Sequence, residues 1–296
     1  MIKQIKPKHK KIIIAWLLIF PALSFRLITS IYPMIQTIIF SFYDFRGSMR
    51  NMEFGGLINY SRIPNDIGIQ MALEFSVIFT VVSTLCIIVL GYIVAILLNQ
   101  KFKGKKFLRS IVLIPWAIPG IVLGIAASWA FHDAFGFIND IISRLFIPGF
   151  NTAWLVDVNR ARFAVIAVDV WKNVPFFAIL ILAGLQNTSE DVLESAKIDG
   201  AGPITIFFKI ILPGLKKITI TLTIFFILWR LTQFDLVFAM TRGGPGAATS
   251  LISHRVMLEA FSNLNFGYAS AISVLLFVIM IVVASIGIGA QKLMDR

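Results

Sequence analysis

The stretch ESAKIDGAGPITIFFKIILPG, residues 194–214, is polar in its first half and lies between two long apolar segments. Its acidic start favours a helix that Gly200 can end, because glycine readily adopts the left-handed backbone of a helix stop. Pro203 suits the first turn of a second helix, which Pro213 and the following glycine end. The stretch therefore predicts two short helices joined at an angle by a tight turn.

The first of these helices has a capping signal at its start. Thr188 and Asp191 fit the Ser/Thr-x-x-Glu/Asp pattern, with Ser189 as an alternative cap, and acidic residues in the first turn suit the helix dipole. The segment 188–214 is thus a small, folded, exposed module. It can dock into a groove on another protein, or it can simply connect two spans along the membrane surface.

The composition indicates a helical membrane protein. The chain has 296 residues, of which 58% are hydrophobic and 14% are charged, with a mean hydropathy of +0.86. A soluble domain could not bury that much apolar surface. The net charge of +12 is explained by basic residues that meet anionic lipid headgroups, so we expect membrane lipid and no nucleic acid as a partner.

Six segments are long and apolar enough to span a bilayer. They are residues 12–42, 72–98, 107–131, 163–186, 218–240 and 268–290, within a single domain of residues 1–296. Sixteen Lys and Arg residues fall in the termini and the two loops on one side of these spans, against eight on the other side. The excess predicts that both termini and the segment 188–214 are cytoplasmic. The predicted fold is therefore all-α and polytopic, with six transmembrane helices and a cytoplasmic two-helix loop.

The module resembles the "EAA" loop of binding-protein-dependent ABC importer permeases. The residues that carry the resemblance are Glu194, Ser195, Ala196, Asp199, Gly200, Ala201, Leu212 and Pro213. Ser195 stands where alanine is usual, which is an exchange of one small residue for another. The segments 55–63, 96–131, 171–186 and 234–250 also resemble the carbohydrate branch of this family, on the side of the larger maltose permease subunit and glycerol-3-phosphate permeases.

The resemblance implies an ATP-driven importer in a prokaryotic plasma membrane. It implies a heterodimer with a second, related permease, two ATPase subunits that receive the loops, and an extracytoplasmic solute-binding protein that delivers a sugar. The chain itself is then not an enzyme, and it carries no Gly-x4-Gly-Lys-Ser/Thr pattern for nucleotide phosphates. ATP and Mg²⁺ would be bound by the ATPase, and no cofactor by this chain.

Polar residues inside two spans suggest where the solute passes, since such residues usually face a cavity or a partner. The fourth span carries Asp169, Lys172 and Asn173 before Pro175, which can kink a helix. The fifth carries aromatic and hydrogen-bonding groups at positions i, i+3, i+4 and i+7, a stripe that suits the apolar faces and hydroxyl edges of sugars. By the resemblance, the sugar-lining positions are Lys172, Asn173, Phe176, Phe226, Trp229, Arg230 and Gln233.

The charges in this stripe leave two interpretations open. Asp169 lies one turn from Lys172 and can neutralise it, whereas Arg230 lies on a different face from Asp235. We therefore expect Arg230 to keep its charge towards the pathway, where it could bind an acidic sugar, glycerol-3-phosphate or another small anion. The alternative is that the aromatic side chains only pack and that Arg230 pairs with Asp235 or the partner permease.

Two other classes of protein fit the sequence less well. An ion-coupled carrier is expected to show repeats and a carboxylate relay at mid-membrane, and neither is evident. An intramembrane enzyme needs clustered catalytic or metal-binding groups. His9, His132 and His254 are scattered, and Cys86 is a single cysteine in an apolar run, so no metal site is expected.

Overall fold

A computed structural model describes residues 7–186 and 190–294 of the chain, and its regular structure is almost entirely helical. The helices are α1 (Pro7–Arg26), α2 (Tyr32–Phe40), α3 (Ile58–Arg62), α4 (Ile67–Asn99), α5 (Lys105–Val112), α6 (Ile114–Ala117), α7 (Gly120–Ala130), α8 (Phe137–Leu145), α9 (Val158–Leu185), α10 (Glu190–Ile198), α11 (Pro203–Ile206), α12 (Leu212–Gly214), α13 (Lys216–Leu231), α14 (Asp235–Thr241), α15 (Ile252–Met257) and α16 (Phe266–Met294). Three π-helical turns, Leu27–Ile31, Phe207–Ile211 and Leu258–Ser262, continue the helices that precede them. The predicted all-α fold is confirmed.

Four helices of the described residues are each long and apolar enough to cross a membrane: Ile14–Phe40, Ile67–Asn99, Val158–Leu185 and Phe266–Leu293. Two bent pairs pass the same test together, which raises the number to six if each pair is one span. The pairs are Lys105–Ala117 with Gly120–Ala130, bent by 87°, and Pro203–Gly214 with Lys216–Leu231, bent by 72°.

Two predicted spans are broken where the sequence suggested continuous helices. The segment 107–131 is divided among α5, α6 and α7, because Pro119 cannot donate a backbone hydrogen bond and Gly120 starts a new helix. The segment 218–240 is divided between α13 and α14 by the turn that follows Leu231. By contrast, α9 runs through Pro175 as one helix.

The smaller of two compact units comprises the part of the chain up to Ile63 together with Val256–Leu275. It contains a short antiparallel hairpin of β1 (Tyr43–Asp44) and β2 (Glu53–Phe54), in which Tyr43 pairs with Phe54. The buried Asn59 amide donates to the carbonyls of Ser41 and Tyr43 at 3.1 and 2.8 Å and thereby fixes the turn into the hairpin.

The larger unit comprises Pro64–Arg255 and Leu276–Arg296, and α4 and α9 form its centre. A Cβ atom at Gly91 of α4 would lie 2.4 Å from the Phe177 ring of α9, so only glycine allows this approach. In the same way, a Cβ atom at Gly124 of α7 would lie 2.6 Å from Ala239 of α14. Close packing at these two glycines therefore holds α4 against α9 and α7 against α14.

Candidate functional site

The exposed module begins with α10, which ends in a turn that depends on glycine. Gly200 has a φ of +81°, and its backbone N–H donates to the Lys197 carbonyl at 3.1 Å. The N–H of Ala201 donates to the Ala196 carbonyl at 2.9 Å, so the two bonds form a Schellman motif. The predicted left-handed stop at Gly200 is confirmed.

The exposed surface of α10 carries polar side chains together with the apolar Val192 and Ile198. Glu194, Ser195 and Asp199 are exposed, and the Ser195 hydroxyl donates to the Asp191 carbonyl at 2.7 Å. Ala196 and Ala201 are half-buried on the inner side of the turn. The predicted caps Thr188 and Ser189 lie outside the described residues.

The second helix of the module begins at Pro203, as predicted, and continues from α11 through a π-helical turn to the end of α12 at Gly214. Leu212 is half-buried and Pro213 is exposed. The module is therefore a pair of short helices whose geometry rests on one glycine and two prolines.

The predicted pathway residues come together as a second, separate group centred on Phe176 of α9. The Phe176 ring stacks on Trp116 of α6, with ring centroids 4.5 Å apart and an interplanar angle of 7°. On its other side lie Phe226 and Trp229 of α13, with centroids 6.2 and 6.3 Å away. Trp116 and Trp229 are 36% and 37% exposed, so this aromatic cluster presents two tryptophan rings at its surface.

A buried ion pair lies behind the aromatic cluster. Arg230 Nε donates to Asp169 Oδ2 at 3.0 Å, and each side chain is 2% exposed. Asn173 Nδ2 donates to Asp169 Oδ1 at 2.9 Å, and the Arg230 guanidinium lies 4.8 Å from the centroid of the Phe226 ring. Both carboxylate oxygens are therefore used, and α9 is joined to α13 by charge as well as by packing.

This geometry corrects the predicted distribution of charge. Asp169 pairs with Arg230 across two helices and forms no ion pair with Lys172 on its own helix. The expectation that Arg230 directs an uncompensated charge into the pathway is wrong, because the carboxylate neutralises it in a buried site. The alternative pairing of Arg230 with Asp235 is also not seen.

Lys172 instead holds the bend between α6 and α7. Its ammonium group donates to the carbonyl of Trp116 at 3.0 Å and also to the carbonyl of Ile118. These carbonyls are freed where Pro119 interrupts the helix, and a cation at a helix C-terminus is favoured by the helix dipole. Lys172 thus satisfies backbone groups that would otherwise be costly inside a membrane.

A carboxylate lies on the other side of the same bend. A Cβ atom at Gly120, the first residue of α7, would lie 1.9 Å from Asp235 Oδ2, so the carboxylate sits against the N-terminus of that helix. Gln233 Nε2 donates to Asp235 Oδ1 at 2.6 Å. Gln233 therefore positions Asp235 in this structure, and its side chain is half-buried.

The structure therefore divides the seven predicted pathway residues into two kinds. Lys172, Phe176, Trp229 and Gln233 retain exposed surface, whereas Asn173, Phe226 and Arg230 are buried and support them. Sequence reasoning missed Trp116, the second exposed ring of the cluster. The signal that could have found it is the pair of prolines at 115 and 119, which predicts a helix break beside an aromatic residue.

A family of known proteins matches most of this chain. The model of the family described as "Binding-protein-dependent transport system inner membrane component" matches residues 87–296, which include both the module and the aromatic cluster. The chain belongs to this family. It is thus a membrane-embedded permease subunit of a binding-protein-dependent transport system, with several apolar helices suited to crossing the membrane.

Two curated relatives match this chain along most of their own length. The trehalose/maltose transport system permease protein MalF of Thermococcus litoralis is 36% identical over 279 residues, covering 93% of this chain and 92% of that protein. The sulfoquinovosyl glycerol transport system permease protein SmoG of Agrobacterium fabrum is 32% identical, covering 93% and 89%.

The fold of the binding-protein-dependent permease is also seen in a solved structure. A chain of a bacterial alginate ABC transporter, solved in complex with an alginate pentasaccharide-bound periplasmic protein, superimposes with a TM-score of 0.82. It covers 96% of each chain at 17% sequence identity, so the likeness concerns the fold. The predicted membership of the family and the predicted importer-permease fold are both confirmed.

Proposed function

We propose that this chain is the permease subunit of an ATP-driven importer and forms half of the translocation pathway for a carbohydrate. The observation that carries the proposal is the aromatic cluster, in which two partly exposed tryptophan rings flank Phe176 beside the hydrogen-bonding groups of Lys172 and Gln233. Such a surface suits a sugar, because ring faces stack on aromatic side chains while hydroxyls bond to polar groups. The permeases named for trehalose, maltose and sulfoquinovosyl glycerol support a carbohydrate substrate.

The exposed module serves as the coupling segment in this proposal. Its outward residues, Glu194, Ser195 and Asp199, would enter a cleft of an ATPase subunit. The Gly200 turn would keep the two helices at a fixed angle, so that movement of the ATPase reaches α13 through the second helix. ATP and Mg²⁺ would be bound and hydrolysed by the ATPase.

The assembly proposed contains this chain, one related permease and two ATPase subunits, with an extracytoplasmic binding protein that delivers the sugar. A second permease is needed because a half-pathway lined by polar groups is unfavourable against lipid. Both termini would be cytoplasmic in a prokaryotic plasma membrane, as the distribution of Lys and Arg indicates.

Reconstitution into vesicles tests this function. The complex should take up a radiolabelled disaccharide or oligosaccharide only when ATP is inside and the sugar-loaded binding protein is outside. Trp229→Ala should lower uptake by about tenfold through the loss of one stacking platform. Uptake that is driven by a proton or sodium gradient without ATP would contradict the proposal.

A further inference from the structure

Two cavities adjoin one another where α4 meets the coupling segment. The first has a volume of about 840 Å³ and is lined mainly by apolar side chains of α4 and α11 and of the π-helical turn after it. The second has a volume of about 620 Å³ and is lined by polar and basic side chains. Both are lined by Asn99, Gln100, Leu185, Leu193 and Lys197, so they form one continuous site with an apolar and a basic end.

The apolar end follows one face of a membrane-spanning helix. Ile88, Tyr92, Ile96 and Asn99 are spaced i, i+4, i+8 and i+11 along α4 and all line it. Eleven residues of helix rise by about 16 Å. This length matches the ~15 Å of hydrocarbon in one bilayer leaflet, which is half of a 30 Å core. The opposite wall is formed by Phe207 and by other side chains of α11 and the π-helical turn after it.

The basic end lies where α4 finishes. Lys101, Lys105, Arg109 and Lys197 line the second cavity, with Glu194 as its acidic member. Arg109 Nη2 donates to the Leu98 carbonyl at 3.0 Å, which ties the basic loop to the end of the span. By the distribution of Lys and Arg this end is cytoplasmic, where anionic lipid headgroups lie.

We propose that this site binds one anionic phospholipid, with its phosphate among the basic side chains and an acyl chain in the apolar groove along α4. The cations stand at one end only, and the apolar part has the length of one leaflet. A helix from another protein would not require that combination. The site meets the proposed ATPase-docking face of α10 at Glu194 alone, whereas Ser195 and Asp199 of that face lie outside it.

The consequence concerns regulation of the coupling segment. A lipid in this groove contacts α4 on one side and α11 on the other, so it would support the position of the second coupling helix. The transporter would then require anionic lipid at a defined site, beyond the general attraction of a basic surface to a membrane.

The basic end is tested by native mass spectrometry of the intact complex after exchange into detergent with phosphatidylglycerol or phosphatidylcholine. The wild type should retain one phosphatidylglycerol per copy of this chain and little phosphatidylcholine. Lys101→Gln with Lys105→Gln should weaken retention by about tenfold or more, since each basic residue near the surface adds to the attraction of an anionic headgroup. The matched control is Lys103→Gln with Lys106→Gln, which removes the same charge from neighbouring positions outside the site and should retain the lipid.

The apolar end is tested by filling the groove. Ile93 lines it, whereas Leu97 is exposed on the same helix outside it. Ile93→Trp should displace the lipid and Leu97→Trp should not, in complexes that elute identically from size exclusion. If both double lysine variants lose the lipid equally, its retention depends only on the general charge of the surface, and the proposal is overturned. It is also overturned by a wild type that retains no lipid, or by one in which a photo-crosslinker at Ile93 captures another subunit.

Discussion

The coupling segment and the aromatic cluster are built in opposite ways within one unit of the chain. In the coupling segment, position is set by the backbone: Gly200 has a φ of +81°, Pro203 starts a helix, and most side chains are exposed. In the cluster, position is set by buried side chains, above all the pair of Asp169 and Arg230. A surface proposed to fit another protein can leave its side chains free, whereas a charged side chain inside a membrane needs a counter-charge from within the protein.

The largest effect expected from this contrast is at the buried ion pair. Asp169→Asn keeps the shape of the side chain but leaves the guanidinium of Arg230 buried without a counter-charge. Breaking a buried pair in this way costs about 3–5 kcal/mol, so the midpoint of thermal unfolding in detergent should fall markedly.

The matched control is the exposed pair of Asp140 and Arg144, whose side chains are 55% and 76% exposed. Asp140→Asn should cost less than about 1 kcal/mol, because solvent screens that pair. Adding Arg230→Met to Asp169→Asn should recover part of the lost stability. If Asp169→Asn and Asp140→Asn unfold at the same temperature, the buried pair does not hold α9 and α13 together.

The next effect concerns the bend beside the cluster. Lys172→Met removes the donor for the Trp116 and Ile118 carbonyls, and carbonyls left without a donor inside a membrane cost roughly 1–3 kcal/mol. Trp116 should then move off Phe176, which would change tryptophan fluorescence before any sugar is added and lower uptake.

Lys172→Arg keeps a donor and serves as the control, with a smaller change in both measurements. A residue that only contacts sugar would leave the sugar-free fluorescence unaltered when it is replaced. Unchanged fluorescence in Lys172→Met would therefore show that Lys172 does not hold the bend.

Two glycines of the coupling segment test whether its backbone sets its position. Neither Gly200 nor Gly202 has an atom within 4 Å of an added Cβ, but only Gly200 has a positive φ. Gly200→Ala should strain the turn by about 1–2 kcal/mol and lower ATP-driven uptake per inserted molecule by about tenfold. Gly202→Ala should leave uptake close to that of the wild type. Equal uptake by both variants would show that the angle between the helices is not fixed by this turn.

The sequence predicts the coupling segment, which the backbone determines, better than the aromatic cluster, which depends on packing between distant residues. The stop at Gly200 and the start at Pro203 are local backbone preferences, so the sequence alone placed them correctly. The partner of Asp169 could not be found in this way, because Arg230 is 61 residues distant and reaches it only through the packing of α9 against α13. The spacing along α9 favoured Lys172 as the partner of Asp169. In the fold, Lys172 instead donates to the carbonyls of Trp116 and Ile118, at the bend before Pro119.

The smallest effect expected is a pH dependence at His254, in α15 outside the membrane-spanning helices. The side chain is buried, Ser250 Oγ lies 2.9 Å from its Nδ1, and burial together with the neighbouring Arg255 lowers the pKa of the imidazole below its ordinary value of 6.5. The folded chain therefore binds the proton less readily than the unfolded chain, and its stability decreases as the pH falls through 6.5. The slope cannot exceed about 1.4 kcal/mol per pH unit for one proton. Thermal unfolding between pH 8 and pH 5.5 should show this loss in the wild type and a smaller loss in His254→Gln. An identical pH profile in the two proteins would mean that His254 gains its proton as easily in the fold as in the unfolded chain.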